Sequence, residues 1–177
     1  MNTDLDTVRL QATTLGDLLL MAADTQPDRM AIILPDERSS FAEIRDAAFR
    51  KALSLQALGV GPGDHVGPLL PTGMDFVETM FATALLGAVT VPVNARYMPL
   101  ELAYLVENAD LKVLLTTDKI AEAVNFVERL NLAFPGLVQA NARKLELEGA
   151  PLLRNIVLYG KSEAPGMLTE HEFNALA

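Results

Sequence analysis

The chain contains no cysteine among its 177 residues. This absence excludes a disulfide framework, a thiolate metal site and a cysteine nucleophile. Proteins of a reducing compartment rarely use disulfides, so the composition fits a cytoplasmic location.

Sequence signals for secretion and membrane insertion are also missing. Residues 1–6 are acidic and have no basic segment ahead of an apolar stretch, unlike a signal peptide. The most apolar run, residues 80–93, is too short to cross a bilayer, which requires about 20 residues. We therefore expect a soluble chain without a transmembrane segment.

Basic residues are scarce. Lysine and arginine total 14 against 23 acidic residues, and the net charge is -9. Binding to a phosphate backbone depends on clustered lysine and arginine, so we exclude nucleic acid as a partner. Apolar residues make up 50% of the chain, and the mean hydropathy of +0.24 suggests that part of its surface is covered by something else.

Residues 14–58 carry the signals of two helices and a small hairpin. Thr14 precedes leucines at helical spacing, and Ser40 with Glu43 forms the S-x-x-E capping pattern of a longer helix that Gly59 ends. Between the helices, the apolar residues 30–34 and the turn-like residues 35–38 predict a β-hairpin.

Strands and helices alternate from residue 64 onward. Short apolar runs predict strands at 64–70, 88–93, 111–115 and 156–158. Helix starts are predicted at Thr72 with Asp75, at Pro99 and at Asp118. The alternation indicates an α/β fold: a parallel sheet of doubly wound β-α-β units with helices on both faces, preceded by a helix and a small hairpin. We divide the chain into an opening part, 1–60, and a parallel α/β subdomain, 61–177.

Three motifs suggest chemistry but favour structural roles. Gly59, Gly61 and Gly63 follow a helix and precede a strand, the reverse of a phosphate-binding loop, so we interpret them as a turn. His65 and His171 lack the spacing of a metal site or a catalytic triad. The acidic residues 163–172 are typical of a solvated loop. We predict no catalytic residue and no metal site.

The carboxyl ends of the predicted strands hold the better candidates, because parallel sheets bind ligands there. Thr72 follows the first of these strands, and Asn94 and Arg96 follow the second. A carboxamide and a guanidinium can anchor a loop or bind an anion. We favour loop anchoring and keep the three residues as candidate ligand contacts.

Six segments in a fixed order resemble the acyl-CoA synthetase branch of the AMP-dependent synthetase and ligase family, whose members are adenylate-forming enzymes. These segments are residues 14–18, 27–28, 40–44, 59–64, 86–96 and 101–105. One departure is Thr72, where relatives often place asparagine in the turn before a helix. The resemblance implies that the whole chain is the N-terminal portion of a larger adenylate-forming domain.

The resemblance also implies a reaction for the parent protein. Such enzymes use ATP and Mg²⁺ to convert a carboxylic acid into an acyl-adenylate with release of pyrophosphate, and then transfer the acyl group to coenzyme A. The family's phosphate loop and its catalytic lysine have no counterpart here, so we expect this chain to bind no cofactor and to be inactive alone. Its partner would be the remainder of the parent, and exposed apolar surface would make the isolated chain self-associate.

Two other functions stay open. The chain could be a stand-alone module that binds a nucleotide or another small ligand. It could also be a truncated paralogue that acts as a regulatory subunit.

Overall fold

The computed structural model describes residues 12–177, so the acidic residues 1–6 lie outside the described part. The described part contains the α-helices α1 Leu15–Thr25, α2 Phe41–Ala57, α3 Met74–Leu85, α4 Pro99–Asn108, α5 Phe126–Ala133 and α6 Glu170–Asn174. A 3-10 helix, Pro135–Gln139, follows α5. Within residues 12–177, no helix combines the length and apolar character needed to cross a membrane.

The strands are β1 Met30–Ile33, β2 Arg38–Ser40, β3 His65–Pro68, β4 Val89–Thr90, β5 Leu111–Thr117, β6 Asn155–Tyr159 and β7 Leu168–Thr169. β1 and β2 form the predicted antiparallel hairpin. The other five form one parallel sheet in the order β4-β3-β5-β6-β7. The predicted α/β class and the hairpin are both confirmed.

Strand β5 is the centre of the sheet and is buried on both faces. Val113, Leu114 and Leu115 are each 0% exposed. Successive side chains of a strand point to opposite faces. Leu114 accordingly belongs to the core formed with α4 and α5, whereas Val113 and Leu115 belong to the core formed with α2, α3 and α6. Helices therefore cover both faces, as the sequence predicts.

Local signals set the starts of the first two helices. Thr14 Oγ1 accepts a hydrogen bond from the Asp17 N–H at 3.0 Å, and the Asp17 carboxylate accepts from the Thr14 N–H at 3.0 Å. Ser40 and Glu43 form the same reciprocal pair at the start of α2. Each pair satisfies backbone donors that the helix itself leaves free, so both predicted caps are confirmed.

Two predicted caps are wrong. Asp118 does not begin a helix: α5 begins at Phe126, and Asn125 caps it by accepting from the Glu128 N–H at 3.0 Å. Helix α3 has Gly73 at its N-cap and no side-chain cap. In both places the expected capping carboxylate is held by partners far away in sequence.

The segment predicted as a solvated acidic loop, residues 163–172, is ordered in its second half. It contains β7 and the start of α6, and Met167 and Leu168 are buried. Thr169 and Glu172 form a capping box like that of Ser40 and Glu43. The loop interpretation is therefore wrong for this half, because the S/T-x-x-E pattern and the apolar pair outweigh the acidic composition.

Gly166 fixes the entry to β7. Its φ is +75°, a backbone conformation that residues with a side chain rarely adopt. A Cβ atom at this position would overlap the carbonyl of Leu137 in the 3-10 helix. The turn therefore requires glycine for two reasons, backbone conformation and close packing.

The glycine-rich turn between α2 and β3 is closed by a carboxylate. Asp64 Oδ2 accepts hydrogen bonds from the Gly61 N–H and from Lys112 Nζ, both at 2.8 Å, and Lys112 Nζ also donates to the Gly59 carbonyl at 2.6 Å. The Asp64 carboxylate already occupies the donors that a phosphate-binding loop would need to keep free. The interpretation of the three glycines as a turn is therefore confirmed.

The pKa of Asp64 reflects this arrangement. The hydrogen bond from Lys112 has the largest effect and lowers the pKa of Asp64 below the ordinary 3.8. Partial burial raises this pKa, whereas the hydrogen bond from the Gly61 N–H lowers it further.

We predict that Gly166→Ala destabilises the chain much more than Gly63→Ala. Gly63 has a similar φ of +80°, but, apart from Gly63 and its two chain neighbours, no heavy atom of residues 12–177 lies within 4 Å of the place that its Cβ would occupy. Backbone strain alone should lower the free energy of unfolding by about 1–2 kcal/mol at Gly63, and strain plus overlap by about 3 kcal/mol or more at Gly166. Urea unfolding measures both; equal losses would contradict the close contact with Leu137.

We also predict that Asp64 contributes to acid unfolding. Its folded pKa lies below the unfolded value, so it stabilises the fold above that value, and the stabilisation is lost as the pH falls through the folded pKa. Asp64→Asn should cost about 1 kcal/mol or less at neutral pH. It should also reduce the decline of the urea midpoint as the pH falls below about 4.

Lys112→Met is the matched control for this prediction, because it removes the same ion pair from the other side. The two single variants and the double variant should lose similar amounts of stability, as expected for one shared interaction. If the urea midpoint of Asp64→Asn fell with pH as steeply as that of the unsubstituted chain, Asp64 would not be a contributor to acid unfolding.

Candidate functional site

The carboxyl ends of the parallel strands meet at one edge of the sheet. The chain visits β4 between β3 and β5, yet β3 and β5 are neighbours in the sheet, so the strand order reverses at this pair. Ligands of open α/β sheets bind in the crevice at such a reversal. The loops after β3 and β5 therefore flank the crevice in which a sheet of this kind binds ligands.

A small cavity of about 160 Å³ lies at this reversal point, and we call it the strand-end cavity. It is lined by Glu37, Leu70, Pro71, Thr72, Gly73, Met74, Asp75, Thr117 and Lys119. The candidate Thr72 is exposed at its rim. Asn94 and Arg96 are not among its lining residues. The three predicted candidates thus lie at one edge of the sheet without forming one cavity.

Asn94 and Arg96 belong to the loop after β4. Asn94 Oδ1 accepts a hydrogen bond from the Arg96 N–H at 2.9 Å, which closes a local turn. Arg129 of α5 donates from Nη1 to the carbonyls of Ala95 at 2.9 Å and Tyr97 at 3.0 Å. Arg129 is the loop's long-range anchor, and the sequence pattern gives no sign of a contact 32 residues away.

A second, larger cavity lies beside the first and has a polar lining. We call it the polar chamber; its volume is about 260 Å³. It is lined by Ala47, Arg50, Lys51, Ser54, Asp75, Glu78, Tyr159, Glu170, Asn174 and Ala177. Helices α2, α3 and α6 and the carboxyl end of β6 therefore all contribute to it. Asp75 lines both cavities.

Lys51 is the central cation of the polar chamber. Its side chain is only 6% exposed, and its Nζ lies 3.1 Å from Glu78 Oε2 and 3.5 Å from Asp75 Oδ1. The same ammonium lies 4.8 Å from the centre of the Tyr159 ring, within the range of a cation–π interaction. Burial of a charged group requires such compensation, which two carboxylates and a ring face supply here.

Asp75 joins this cluster to the loop after β5. Lys119 Nζ lies 2.6 Å from Asp75 Oδ2, on the carboxylate oxygen that Lys51 does not contact. Burial raises the pKa of Asp75, but the charges of Lys51 and Lys119 outweigh it and hold the pKa below its ordinary value. Burial lowers the pKa of Lys119, but the hydrogen bond to Asp75 raises it, and the net result is a pKa above the ordinary value. Asp75 is therefore ionised, and its two oxygens contact the lysines Lys51 and Lys119 instead of capping α3.

Tyr159 ends β6 and lies under this cluster. It is 1% exposed, and its ring meets that of Phe173 edge-to-face with centroids 6.1 Å apart. Burial raises the pKa of its phenol well above the ordinary value, and the nearby carboxylates of Asp75, Glu170 and Glu78 raise it further. The phenol is therefore neutral at physiological pH.

The burial of Lys51 can be predicted from its position in the sequence, although a charged residue is normally expected on the surface. Ile44, Ala48 and Leu55 form the buried face of α2, and Lys51 falls on the same face at helical spacing. A lysine in an apolar helix stripe indicates a buried ion pair. Its partners on α3 cannot be read from the local sequence.

Asp118 connects the ends of β5 and β6. Its carboxylate accepts hydrogen bonds from the backbone N–H groups of Lys161 at 3.2 Å and Ser162 at 2.6 Å. Burial raises its pKa, but these donors and the Ser162 hydroxyl outweigh that effect and lower it. This contact explains why Asp118 does not cap the following helix.

The remaining candidates have structural surroundings. His65 donates from Nδ1 to the Ala109 carbonyl at 2.6 Å, which links β3 to the end of α4. His171 is exposed on α6. Across residues 12–177, no group of three or more histidine, aspartate or glutamate side chains is placed to hold a metal ion. In the polar chamber, Lys51 is paired with Asp75 and Glu78.

The chain spans a minor part of the proteins that it resembles. YngI of Bacillus subtilis, whose name describes an acyl-CoA synthetase, is 32% identical over 88% of this chain and 28% of its own length. A Mycobacterium marinum medium/long-chain-fatty-acid–CoA and 3-oxocholest-4-en-26-oate–CoA ligase is 36% identical over 64% of this chain and 20% of its own length.

Solved structures show the same fold. The anthranilate CoA ligase AuaEII in complex with anthranoyl-AMP matches with a TM-score of 0.72 and 21% identity, over 93% of this chain and 28% of that one. The fatty acyl CoA synthetase of Mycobacterium tuberculosis matches with a TM-score of 0.68 and 23% identity, over 92% of this chain and 28% of that one.

The family model described as AMP-binding enzyme matches residues 19–169, which is most of the chain. The matched range begins in α1 and ends in β7, so it includes the whole parallel sheet. The chain therefore belongs to the AMP-binding enzyme family.

Proposed function

We propose that this chain is the N-terminal framework of an acyl-CoA synthetase. The whole protein would convert a carboxylic acid and ATP into an acyl-adenylate and pyrophosphate, and then transfer the acyl group to coenzyme A. The supporting observation is the match over 88% of this chain to only 28% of a relative named for acyl-CoA synthetase activity. The mycobacterial relative is likewise named as a CoA ligase.

The residues of this chain do not suit a bound triphosphate. The glycine-rich turn holds the Asp64 carboxylate against its N–H and ammonium donors, which leaves an anionic phosphate no place there. At the strand-end cavity, Lys119 is paired with Asp75. We therefore assign ATP and its Mg²⁺ to other parts of the parent protein and derive no catalytic step from residues 12–177.

We further propose that residues 1–60 pack partly against the remainder of the parent, whereas 61–177 form the parallel subdomain. Two apolar pairs support the contact of residues 1–60 with the remainder of the parent, although α2 also packs on the parallel sheet. Leu15 and Leu18 of α1 are 42% and 45% exposed, and Phe49 and Leu53 of α2 are 43% and 50% exposed. Each pair shares one helix face by its spacing. Exposed apolar helix faces of this kind are typical of surfaces covered by another polypeptide.

The coding DNA beyond the codon for Ala177 tests the assignment directly. Continuation into a Ser/Thr/Gly-rich loop with lysine would support it. A stop codon immediately after Ala177 would count against it and would favour a binding module or a regulatory paralogue.

We predict that the 177-residue chain shows no saturable binding of ATP or AMP. The reason is that its candidate donors are already paired with Asp64 and Asp75. Calorimetric titration measures this, with an intact acyl-CoA synthetase of the same family as the positive control. Saturable nucleotide binding by the short chain would instead support the stand-alone binding module.

We also predict that the isolated chain self-associates through the exposed faces of α1 and α2. Light scattering over a concentration series should show a mass that rises with concentration. Leu18→Lys with Leu53→Lys should reduce this rise, because two charges oppose burial of those faces. Leu132→Lys is the matched control, since Leu132 on α5 is 62% exposed. A constant monomer mass would exclude the association.

A further inference from the structure

Helix α4 carries the most exposed large apolar side chains of residues 12–177. Leu100 is 86% exposed and Tyr104 is 69% exposed. A shallow groove of about 370 Å³, which we call the α4 groove, is lined by Tyr97, Leu100, Glu101, Tyr104 and Leu105. Grouped apolar side chains on a surface mark sites of protein contact, and tyrosine is enriched in such contacts.

The groove lies on the face of α4 that is turned away from the core. Leu102 and Val106 are the buried residues of this helix. Leu100, Tyr104 and Glu107 follow one another at intervals of four and three residues, so they share the opposite face. Glu107 is exposed like the other two. A second polypeptide can therefore cover this face without any change in the core.

The two ends of this face carry opposite charges. Arg96 lies just before α4 and is exposed, and its bond to Asn94 uses the backbone N–H, so the guanidinium takes no part in that turn. Glu107 and Asp110 are exposed at the other end of the helix. Within the described residues, neither Arg96 nor Glu107 belongs to an ion pair. The apolar groove is thus flanked by a cation at one end and carboxylates at the other.

This charge pattern is complementary to itself in the antiparallel direction. If a second copy of α4 lies antiparallel on the first, Leu100 of each copy meets Tyr104 of the other. The same arrangement brings Arg96 of each copy close to Glu107 of the other. It also sets the positive N-terminal end of one helix beside the negative C-terminal end of its counterpart. A partner with charges of one sign only would instead meet a like charge at one end of the groove.

We propose that the α4 groove is a contact between two copies of this chain, related by a two-fold axis, with Arg96 of each copy paired with Glu107 of the other. Such a contact uses the same surface on both copies and closes as a dimer. The ten residues of α4 span about 15 Å, which is short for a standard interface, so the dimer is weak. The contact is separate from the association assigned to α1 and α2 and does not depend on the proposed enzymatic function.

Charge reversal tests the pairing of Arg96 with Glu107. All chains carry Leu18→Lys with Leu53→Lys, which opposes association through α1 and α2. Sedimentation analysis up to millimolar concentration, at constant ionic strength, should show that this background chain dimerises. Arg96→Glu or Glu107→Arg alone should raise the dissociation constant about 10-fold or more, because like charges then meet at both ends. An equimolar mixture of the two reversed chains should restore the dimer, since opposite charges meet again at both ends.

Glu163→Arg is the matched control for these reversals. Glu163 is exposed in the loop between β6 and β7 and does not line the α4 groove, so its reversal changes the net charge as Glu107→Arg does without touching the contact. The dissociation constant should stay within about twofold of the background value. A background chain that stays monomeric, single reversals without effect, or a mixture that stays monomeric overturns the proposal.

Amide chemical shifts of the unsubstituted chain give a second test that needs no variant. The signals of Leu100, Tyr104 and Glu107 should move as the chain is concentrated. The signal of Leu132 on α5, a residue that is also exposed, should not move in the same titration. Signals of α4 that stay constant over this concentration range overturn the proposal.

Discussion

The burial of strand β5 on both faces is the constraint on which the rest of the fold depends. A run of three fully buried aliphatic residues, Val113 to Leu115, can be covered only if helices lie above and below the sheet. Burial of each such side chain contributes about 1.5–3 kcal/mol, so exposing either face would cost more than most other single contacts. The crossovers that bring those helices to the two faces also make the neighbouring strands parallel.

Parallel strands carry a second consequence, since they place all of their carboxyl ends at one edge. Chain segments that are distant in sequence meet there, and their polar groups must satisfy one another. Asp75 holds Lys51 and Lys119 together at this edge, and Asp118 holds the loop after β6. A buried ion pair of this kind contributes little net stability compared with an apolar replacement. Its effect is to fix the relative positions of α2, α3 and the strand-end loops.

The sequence predicts features that depend on neighbours within about four residues. The caps at Thr14 and Ser40, the hairpin and the alternation of strands and helices are local in this sense, and they are confirmed. The caps assigned to Asp75 and Asp118 fail because long-range donors compete for the same carboxylates, 44 residues away for both Lys119 and Ser162. The loop anchor Arg129 and the partners of Lys51 are invisible for the same reason. The capping box at Thr169, in contrast, is a local signal that the acidic composition of residues 163–172 concealed.

The contrast between charged groups that are paired within the chain and apolar side chains that are exposed indicates the role of this chain in a larger protein. Its carboxylates and ammonium groups at the turn and at the strand ends are bonded to one another: Asp64 to Lys112, and Asp75 to Lys51 and Lys119. A site that performs chemistry on a charged substrate needs donors that are free to meet it. Apolar side chains of α1 and α2 are exposed, and such surfaces are typical of protein contacts. This contrast favours a framework that another part of an AMP-binding enzyme completes, because the charged groups at the strand ends are bonded within the chain while apolar side chains of α1 and α2 are exposed.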